Sequence, residues 1–282
     1  MELYGIAEPP GLYFDGHFDG TRSSFPILSK GEDIVEHIFS RHNELGVHNV
    51  IWQLGRTWLT FHTEHPDLTV QGSITKEEDL VDKLSSRLWY NYLQENCPLR
   101  KALDEGYKRN MPVWGWLCMN RHYPADDAKI NISRFWEKNH LLMGEYTKTG
   151  ERDFNRLCYF FPEYREERLA AILESAKVSG YNSKNHLETI VLDFVRQPPM
   201  LQYHPLLCEK YKIYSNIDPR NILSQDVDAY LAWCKWRGEI LTDFLRTVRN
   251  KLNQYGREIG RIFKLMPRIT DLGININLIE GI

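Results

Sequence analysis

The fold of this chain is indicated most clearly by the stretch Thr189-Ile190-Val191-Leu192-Asp193-Phe194-Val195. Apolar residues fill this stretch without alternating with polar ones, which is typical of a parallel strand covered on both faces. The exception is Asp193, a carboxylate that must be hydrogen-bonded, paired or protonated if it is buried. The stretch therefore predicts a buried parallel strand with an unusual carboxylate near its carboxyl end.

Similar apolar runs recur along the chain and alternate with long amphipathic segments, a pattern typical of repeated strand–helix units. The other predicted strands cover Leu3–Ala7, Asn49–Leu54, Pro112–Met119, Ile259–Leu265 and Ile274–Ile279. The clearest predicted helices are Glu32–Leu45, Glu163–Ser179 and Ser224–Tyr255, the last with Ser224 as its N-cap. Because no Pro/Ser-rich linker interrupts this pattern, we predict a single domain over residues 1–282.

The repeats predict an α/β fold, specifically a (β/α) barrel of the TIM type. Five or six strand–helix repeats are found in the sequence, whereas a closed barrel of this type has eight. We therefore expect a barrel truncated at its C-terminal end, with an exposed apolar edge on its sheet. An open doubly wound sheet is the alternative. Its nucleotide-binding form is disfavoured, because no glycine-rich phosphate-binding motif follows any predicted strand.

Composition narrows the possible partners. The hydrophobic fraction of 42% suits a large core, and a net charge of -3 without basic clusters disfavours nucleic-acid binding. No leader-like or membrane-spanning apolar run is found, so we expect a cytoplasmic protein without membrane association. Five dispersed cysteines suggest a reducing compartment, and the histidine spacing suggests no metal. We predict no cofactor, and the oligomeric state stays open.

Candidate functional residues follow the predicted strands, because the active site of a barrel is built at the carboxyl ends of its strands. Asn120, Arg121 and His122 follow the third predicted strand and could hydrogen-bond sugar hydroxyls or a carboxylate. The alternative reading is a solvent-exposed loop. Gln53, at the end of the second predicted strand, could also bind a ligand.

Asp193 is the strongest candidate for chemistry. It could act as a general acid/base or as a carboxylate that binds substrate. Arg196, three residues further on, is a plausible ion-pair partner, and a purely structural Asp–Arg pair is the alternative.

The segment that contains these two residues resembles part of a known family. Residues 189–198 are similar to the DGIxLDFxRxP segment of glycoside-hydrolase-like barrel proteins related to family 10. Upstream, Asp153–Arg165 resembles the family's segment of aromatics, Pro-Glu and Arg, and downstream Val227–Arg237 resembles its long helix. The resemblance spans most of the chain from the second strand onward. One departure is Glu188-Thr189, where the family has Asp-Gly before the strand.

This resemblance implies a glycoside hydrolase in which one carboxyl group acts as acid and a second as nucleophile or base. It places Asp193 at the end of the fourth strand, the usual position of the acid/base, and expects the second carboxylate from a seventh strand. The predicted pocket comprises Gln53, Asn120, His122, Asp193 and Arg196, and the predicted partner is a carbohydrate. The alternative is a barrel that binds a carbohydrate or polyol without cleaving it.

Overall fold

The computed structural model of the chain describes residues 3–7, 34–71, 73, 84–120, 133–179, 185–195 and 200–269. In chain order the elements are β1 (Tyr4–Ala7), α1 (Ile34–Glu44), β2 (Asn49–Gly55), α2 (Leu84–Glu95), α3 (Pro98–Lys108), β3 (Val113–Cys118), α4 (Arg134–Met143), β4 (Gly144–Tyr146), β5 (Arg152–Leu157), α5 (Pro162–Ser179), β6 (Thr189–Asp193), α6 (Pro205–Ser215), a 3-10 turn (Pro219–Asn221), α7 (Val227–Ile259) and β7 (Lys264–Arg268).

Five of these strands form one parallel sheet in the order β1-β2-β3-β6-β7. Each strand of this sheet pairs with the next sheet strand along the chain, as in the wall of a barrel. A doubly wound sheet would instead reverse its strand order at a switch point. Over the described residues the sheet is open, with β1 and β7 at its two edges. The fold is therefore a mixed α/β fold with a parallel sheet, compatible with part of a TIM-type barrel.

The helices cover one face of this sheet. Alternate strand residues point to opposite faces, and Trp52, Leu117 and Leu192 belong to the main buried core together with helix residues such as Phe39 and Ile172. Gly115 lies on the same face, where a Cβ atom would stand only 2.5 Å from Leu54 Cδ1. Close packing between neighbouring strands thus explains the glycine in the middle of β3.

The opposite face carries a second, smaller group of side chains. We call it the inner face and define it by residues Ile51, Gln53, Trp114, Trp116, Cys118, Val191 and Asp193, which are related by the strand register. Trp116, Cys118 and Val191 form its buried apolar cluster, against which Ile51 and Trp114 pack. Gln53 and Asp193 are polar members of this face, as is Thr189, which lies in register with Trp114.

The predicted elements that lie within the described residues agree with the structure except near α7. The side chain of Asp226 accepts a hydrogen bond from the Ala229 amide and is the N-cap, so the prediction of Ser224 as cap was wrong. The helix continues to Ile259, with Gly256 on its buried face beyond the predicted end at Tyr255, and it ends at Gly260, which has a φ of 68°. The strand predicted from Ile259 accordingly begins later, at Lys264.

Two other predictions concern the hairpin region and the end of the chain. The antiparallel β4–β5 hairpin was not predicted, because β4 has only 3 residues. The predicted strand Ile274–Ile279 lies outside the described residues. All five cysteines are free thiols. Along the described part of the chain, no helix combines the length and the apolar character that crossing a membrane requires.

Candidate functional site

Asp193, the last residue of β6, has no solvent exposure and accepts hydrogen bonds from several directions. Its Oδ2 atom accepts from the Trp116 indole N–H at 2.9 Å, and its Oδ1 atom accepts from the Val195 amide at 3.0 Å. Arg268 Nη1 lies 3.3 Å from Oδ2. Indole, amide and guanidinium N–H groups can only donate. Toward these neighbours Asp193 therefore acts as an acceptor.

Gln53 and Asn120 lie at the same end of the sheet. The Met119 amide donates to the Asp193 carbonyl at 3.0 Å, which ties the end of β3 to the end of β6 just before Asn120. Gln53 lies on β2 in register with Trp116, whose indole contacts Asp193. The structure thus brings three of the five sequence-predicted site residues to one end of the sheet. His122 and Arg196 lie outside the described residues.

Both amide side chains keep an unused donor. Gln53 is 2% exposed and Asn120 is 1% exposed. Within the described ranges, neither Gln53 Nε2 nor Asn120 Nδ2 has a hydrogen-bond partner. A buried donor without a partner costs free energy, so such groups are rare in folded proteins. These two atoms could donate to a ligand that enters this end of the sheet.

Two buried tyrosines hydrogen-bond to Asn120 and to the residue before it, Met119. The Tyr159 hydroxyl donates to the Met119 carbonyl at 2.6 Å, and the Tyr164 hydroxyl lies 3.1 Å from both that carbonyl and Asn120 Oδ1. Burial raises the pKa of both phenols well above the usual range. They therefore remain protonated donors, which fix the backbone at the end of β3 and orient the Asn120 side chain.

A buried ion pair supports the end of β2. Glu167 and Arg168 are neighbours on α5, and their side chains are 2% and 1% exposed. Arg168 binds the Glu167 carboxylate and donates a further hydrogen bond to the Arg56 carbonyl at 2.6 Å. Since Arg56 directly follows β2, this pair holds the chain where it leaves the sheet beside Gln53.

Sequence patterns missed three residues that contact the predicted site, namely Trp116, Tyr164 and Arg268. The alternation of β3 could have found Trp116, because Trp114, Trp116 and Cys118 share one face. Arg268 was missed because the predicted strand ended at Leu265, three residues too early. Within the described chain Arg268 forms an ion pair with Asp193. Arg196, which the sequence suggested as an ion-pair partner, lies outside the described residues. No sequence pattern connects Tyr164 to Asn120.

Glu145 holds residues 200–202, which follow β6 in the sequence, through hydrogen bonds to their backbone. This residue of β4 is fully buried, and its two carboxylate oxygens accept from the Leu201 amide at 2.8 Å and the Gln202 amide at 3.0 Å. Arg237 donates to the Met200 and Leu201 carbonyls. One buried acid and one buried base thus satisfy the backbone donors and acceptors of residues 200–202. Burial raises the pKa of Glu145 to about 7, although its hydrogen bonds act in the opposite direction.

This pKa predicts a pH-dependent stability. The folded state binds a proton on Glu145 more tightly than the unfolded chain, whose glutamate has a pKa near 4.5. Glu145 therefore contributes stability that is fully present below pH 4.5 and is lost as the pH rises through about 7. The expected loss in the free energy of unfolding is on the order of 3 kcal/mol. Urea unfolding at pH 5 and pH 8 measures it.

The Glu145→Gln variant tests the assignment. Because glutamine does not titrate, the difference in stability between the variant and the wild type should change with pH over this range. The matched control is Glu151→Gln, an exposed glutamate between β4 and β5, which should behave like the wild type. If Glu145→Gln and the wild type lose the same stability between pH 5 and pH 8, Glu145 is not the titrating group.

Among the residues that the structure describes, no three histidine, cysteine, aspartate or glutamate side chains lie close enough together to hold a metal ion. The polar groups at the carboxyl end of the sheet are a carboxylate, two amides, an indole and a guanidinium. They can hydrogen-bond a polar organic ligand.

Comparison with known proteins gives distant structural neighbours only. No protein-family model and no curated protein sequence matches the chain. The alpha-L-fucosidase isoenzyme 2 from Paenibacillus thiaminolyticus is 14% identical with a TM-score of 0.39, over 85% of this chain and 30% of that one. The beta-galactosidase from the psychrophilic Marinomonas ef1 is 13% identical with a TM-score of 0.43, over 86% of this chain and 36% of that one.

The catalytic domain of beta-amylase from Paenibacillus polymyxa is 9% identical with a TM-score of 0.46, over 93% of this chain and 65% of that one. These three distant neighbours are glycoside hydrolases by name, and none of them is named as a member of family 10. The chain spans 30% of the fucosidase and 36% of the galactosidase, less than half of either length.

Proposed function

We propose that the carboxyl end of the parallel sheet binds a carbohydrate and that the protein is a glycoside hydrolase with Asp193 as one of its carboxylates. The observation that carries the proposal is a fully buried carboxylate at a strand end, with two buried amide side chains beside it. Carbohydrates present many hydroxyl groups, each of which can donate and accept a hydrogen bond. A carboxylate acceptor beside amide donors matches such a ligand.

The proposed chemistry needs two carboxyl groups. One protonates the glycosidic oxygen as the bond to the leaving group breaks, and the other acts as nucleophile or activates a water molecule. We assign Asp193 to this pair as the acid/base and leave the second carboxylate unassigned. Gln53 and Asn120 are proposed to bind the sugar through their amides, and His122 and Arg196 complete the proposed pocket.

A second candidate function is binding without cleavage. It is favoured by the hydrogen bonds of Asp193, since its indole, amide and guanidinium partners are all donors. A carboxylate held in this way could accept from a sugar hydroxyl without ever giving up a proton. In that case the protein would be a carbohydrate- or polyol-binding barrel.

One experiment separates the two functions. The purified chain is incubated with p-nitrophenyl glycosides of several sugars in both anomeric forms, and release of nitrophenol is followed. Binding of the corresponding methyl glycosides is measured by titration calorimetry. We expect release from at least one glycoside, together with binding of the same sugar. Binding without any release would support the second function, whereas a protein that neither binds nor cleaves any of these sugars would contradict both.

A further inference from the structure

Arg268 contacts the proposed catalytic carboxylate and is also exposed to solvent. It is the last residue of β7 and lies in register with Asp193 on the neighbouring strand. Its Nη1 atom lies 3.3 Å from Asp193 Oδ2, yet the Arg268 side chain is 48% exposed and the Asp193 side chain is fully buried. The guanidinium therefore lies at the boundary between the buried carboxylate and the solvent at this end of the sheet.

A guanidinium can donate more hydrogen bonds than the one that Asp193 accepts from Arg268. A guanidinium has five N–H donors in a planar fork. Over the part of the chain that the structure describes, the Arg268 side chain donates to Asp193 through Nη1. The remaining donors could bind a second carboxylate bidentately, which is the geometry that makes arginine selective for planar anions.

The neighbouring free groups are also donors. Gln53 Nε2 and Asn120 Nδ2 are buried without a partner among the described residues. Of the about four lone-pair sites of the Asp193 carboxylate, at least three accept from Trp116, Val195 and Arg268, so few remain for a ligand. A ligand that fits this arrangement must bring acceptors in excess of donors, and it gains most if one of them is charged.

We propose that Arg268 is a specificity-determining residue and that the site selects a sugar bearing a carboxylate, a hexuronic acid, over the corresponding neutral hexose. The inference rests on the proposed function, because it takes the carbohydrate site to lie at this end of the sheet. Arg268 bridges two carboxylates, that of Asp193 on the protein and that of the sugar. Its fixed positive charge offsets the repulsion between them.

The test compares ligands that differ only at C6. Methyl glucuronides and methyl galacturonides are titrated against the matching glucosides and galactosides by calorimetry, with glucose 6-phosphate as a non-carboxylate anion. We expect the uronides to bind at least about tenfold more tightly than the neutral glycosides, which corresponds to one charge-assisted hydrogen-bond pair. Raising the salt concentration should reduce this preference, because exposed charges are screened.

Variants of Arg268 should remove the preference selectively. Arg268→Gln is expected to bind uronides and neutral glycosides equally, and Arg268→Lys, which keeps the charge near Asp193, should retain only part of the preference. The matched control is Arg246→Gln on α7, another exposed arginine paired with an aspartate, which should bind like the wild type. Circular dichroism confirms that each variant is folded.

Three results would overturn the inference. Equal binding of uronides and neutral glycosides by the wild type would refute it while leaving the proposed function intact. Binding of glucose 6-phosphate as tight as that of the uronides would show recognition of charge without selection of a carboxylate. If no sugar of either kind binds, the proposed function itself fails and the inference fails with it.

Discussion

Replacing Asp193 by asparagine is expected to lower turnover about 100-fold or more, because an amide can neither deliver nor accept the proton that general acid/base catalysis requires. The side chain keeps its size. One of its oxygens becomes an NH₂ group, however, and must face either the Trp116 indole N–H or the Val195 amide, both donors. We therefore also expect a loss in the free energy of unfolding of about 1–3 kcal/mol. Turnover is measured per folded molecule on a glycoside that the wild type cleaves.

Trp116→Phe is the matched control for this substitution. It removes the indole donor from Asp193 but leaves the carboxyl group in place. Its turnover should fall far less than that of Asp193→Asn, with a comparable loss of stability. If Asp193→Asn lowers stability but keeps wild-type turnover per folded molecule, Asp193 is a structural partner of Trp116 and Arg268, and its catalytic assignment must be given up.

Replacing Arg168 by methionine is expected to cause the largest loss of stability, about 3–5 kcal/mol, because it leaves the Glu167 carboxylate buried without its partner. It also removes the hydrogen bond to the Arg56 carbonyl after β2. Denaturant unfolding monitored by circular dichroism measures the loss. The double variant Glu167→Gln, Arg168→Met removes both charges and should recover much of it.

The control is an exposed pair on the same helix. Lys177 lies 2.9 Å from Glu174, and its side chain is 56% exposed. Lys177→Met should cost at most about 1 kcal/mol, since water already solvates most of its charge. A loss for Arg168→Met as small as that for Lys177→Met would mean that the buried pair contributes little to the fold.

The sequence by itself determined the central strands of the sheet and several of the helices. Continuous apolar runs such as Thr189–Val195 predicted parallel strands, and the structure confirms parallel pairing of β2, β3 and β6. An apolar run is enough to predict such a strand, because a strand covered on both faces needs apolar residues at every position, whichever strands it pairs with. The spacing of apolar residues in α1 and α5 is also a feature of a single segment, and both helices lie where they were predicted. The notable polar residue, Asp193, could be recognised for the same reason.

Contacts between distant segments could not be predicted in this way. The carboxylate of Asp193 meets Trp116, which is 77 residues away in the sequence, and Arg268, which is 75 residues away. Tyr164 meets Asn120 from 44 residues away. Each of these pairs depends on which strands become neighbours and in which register.

The tertiary structure alone therefore decided which groups surround the carboxylate. A one-residue shift in register would turn Trp116 away from Asp193, because successive side chains of a strand point to opposite faces. Because α7 ends four residues later than predicted, β7 begins later, and its last residue, Arg268, lies beside Asp193. The sequence determined that a carboxylate lies at a strand end, since burial follows from local apolar pattern. The assembly of the sheet determined which groups donate hydrogen bonds to this carboxylate. Register is a property of two strands together and is encoded in neither one alone.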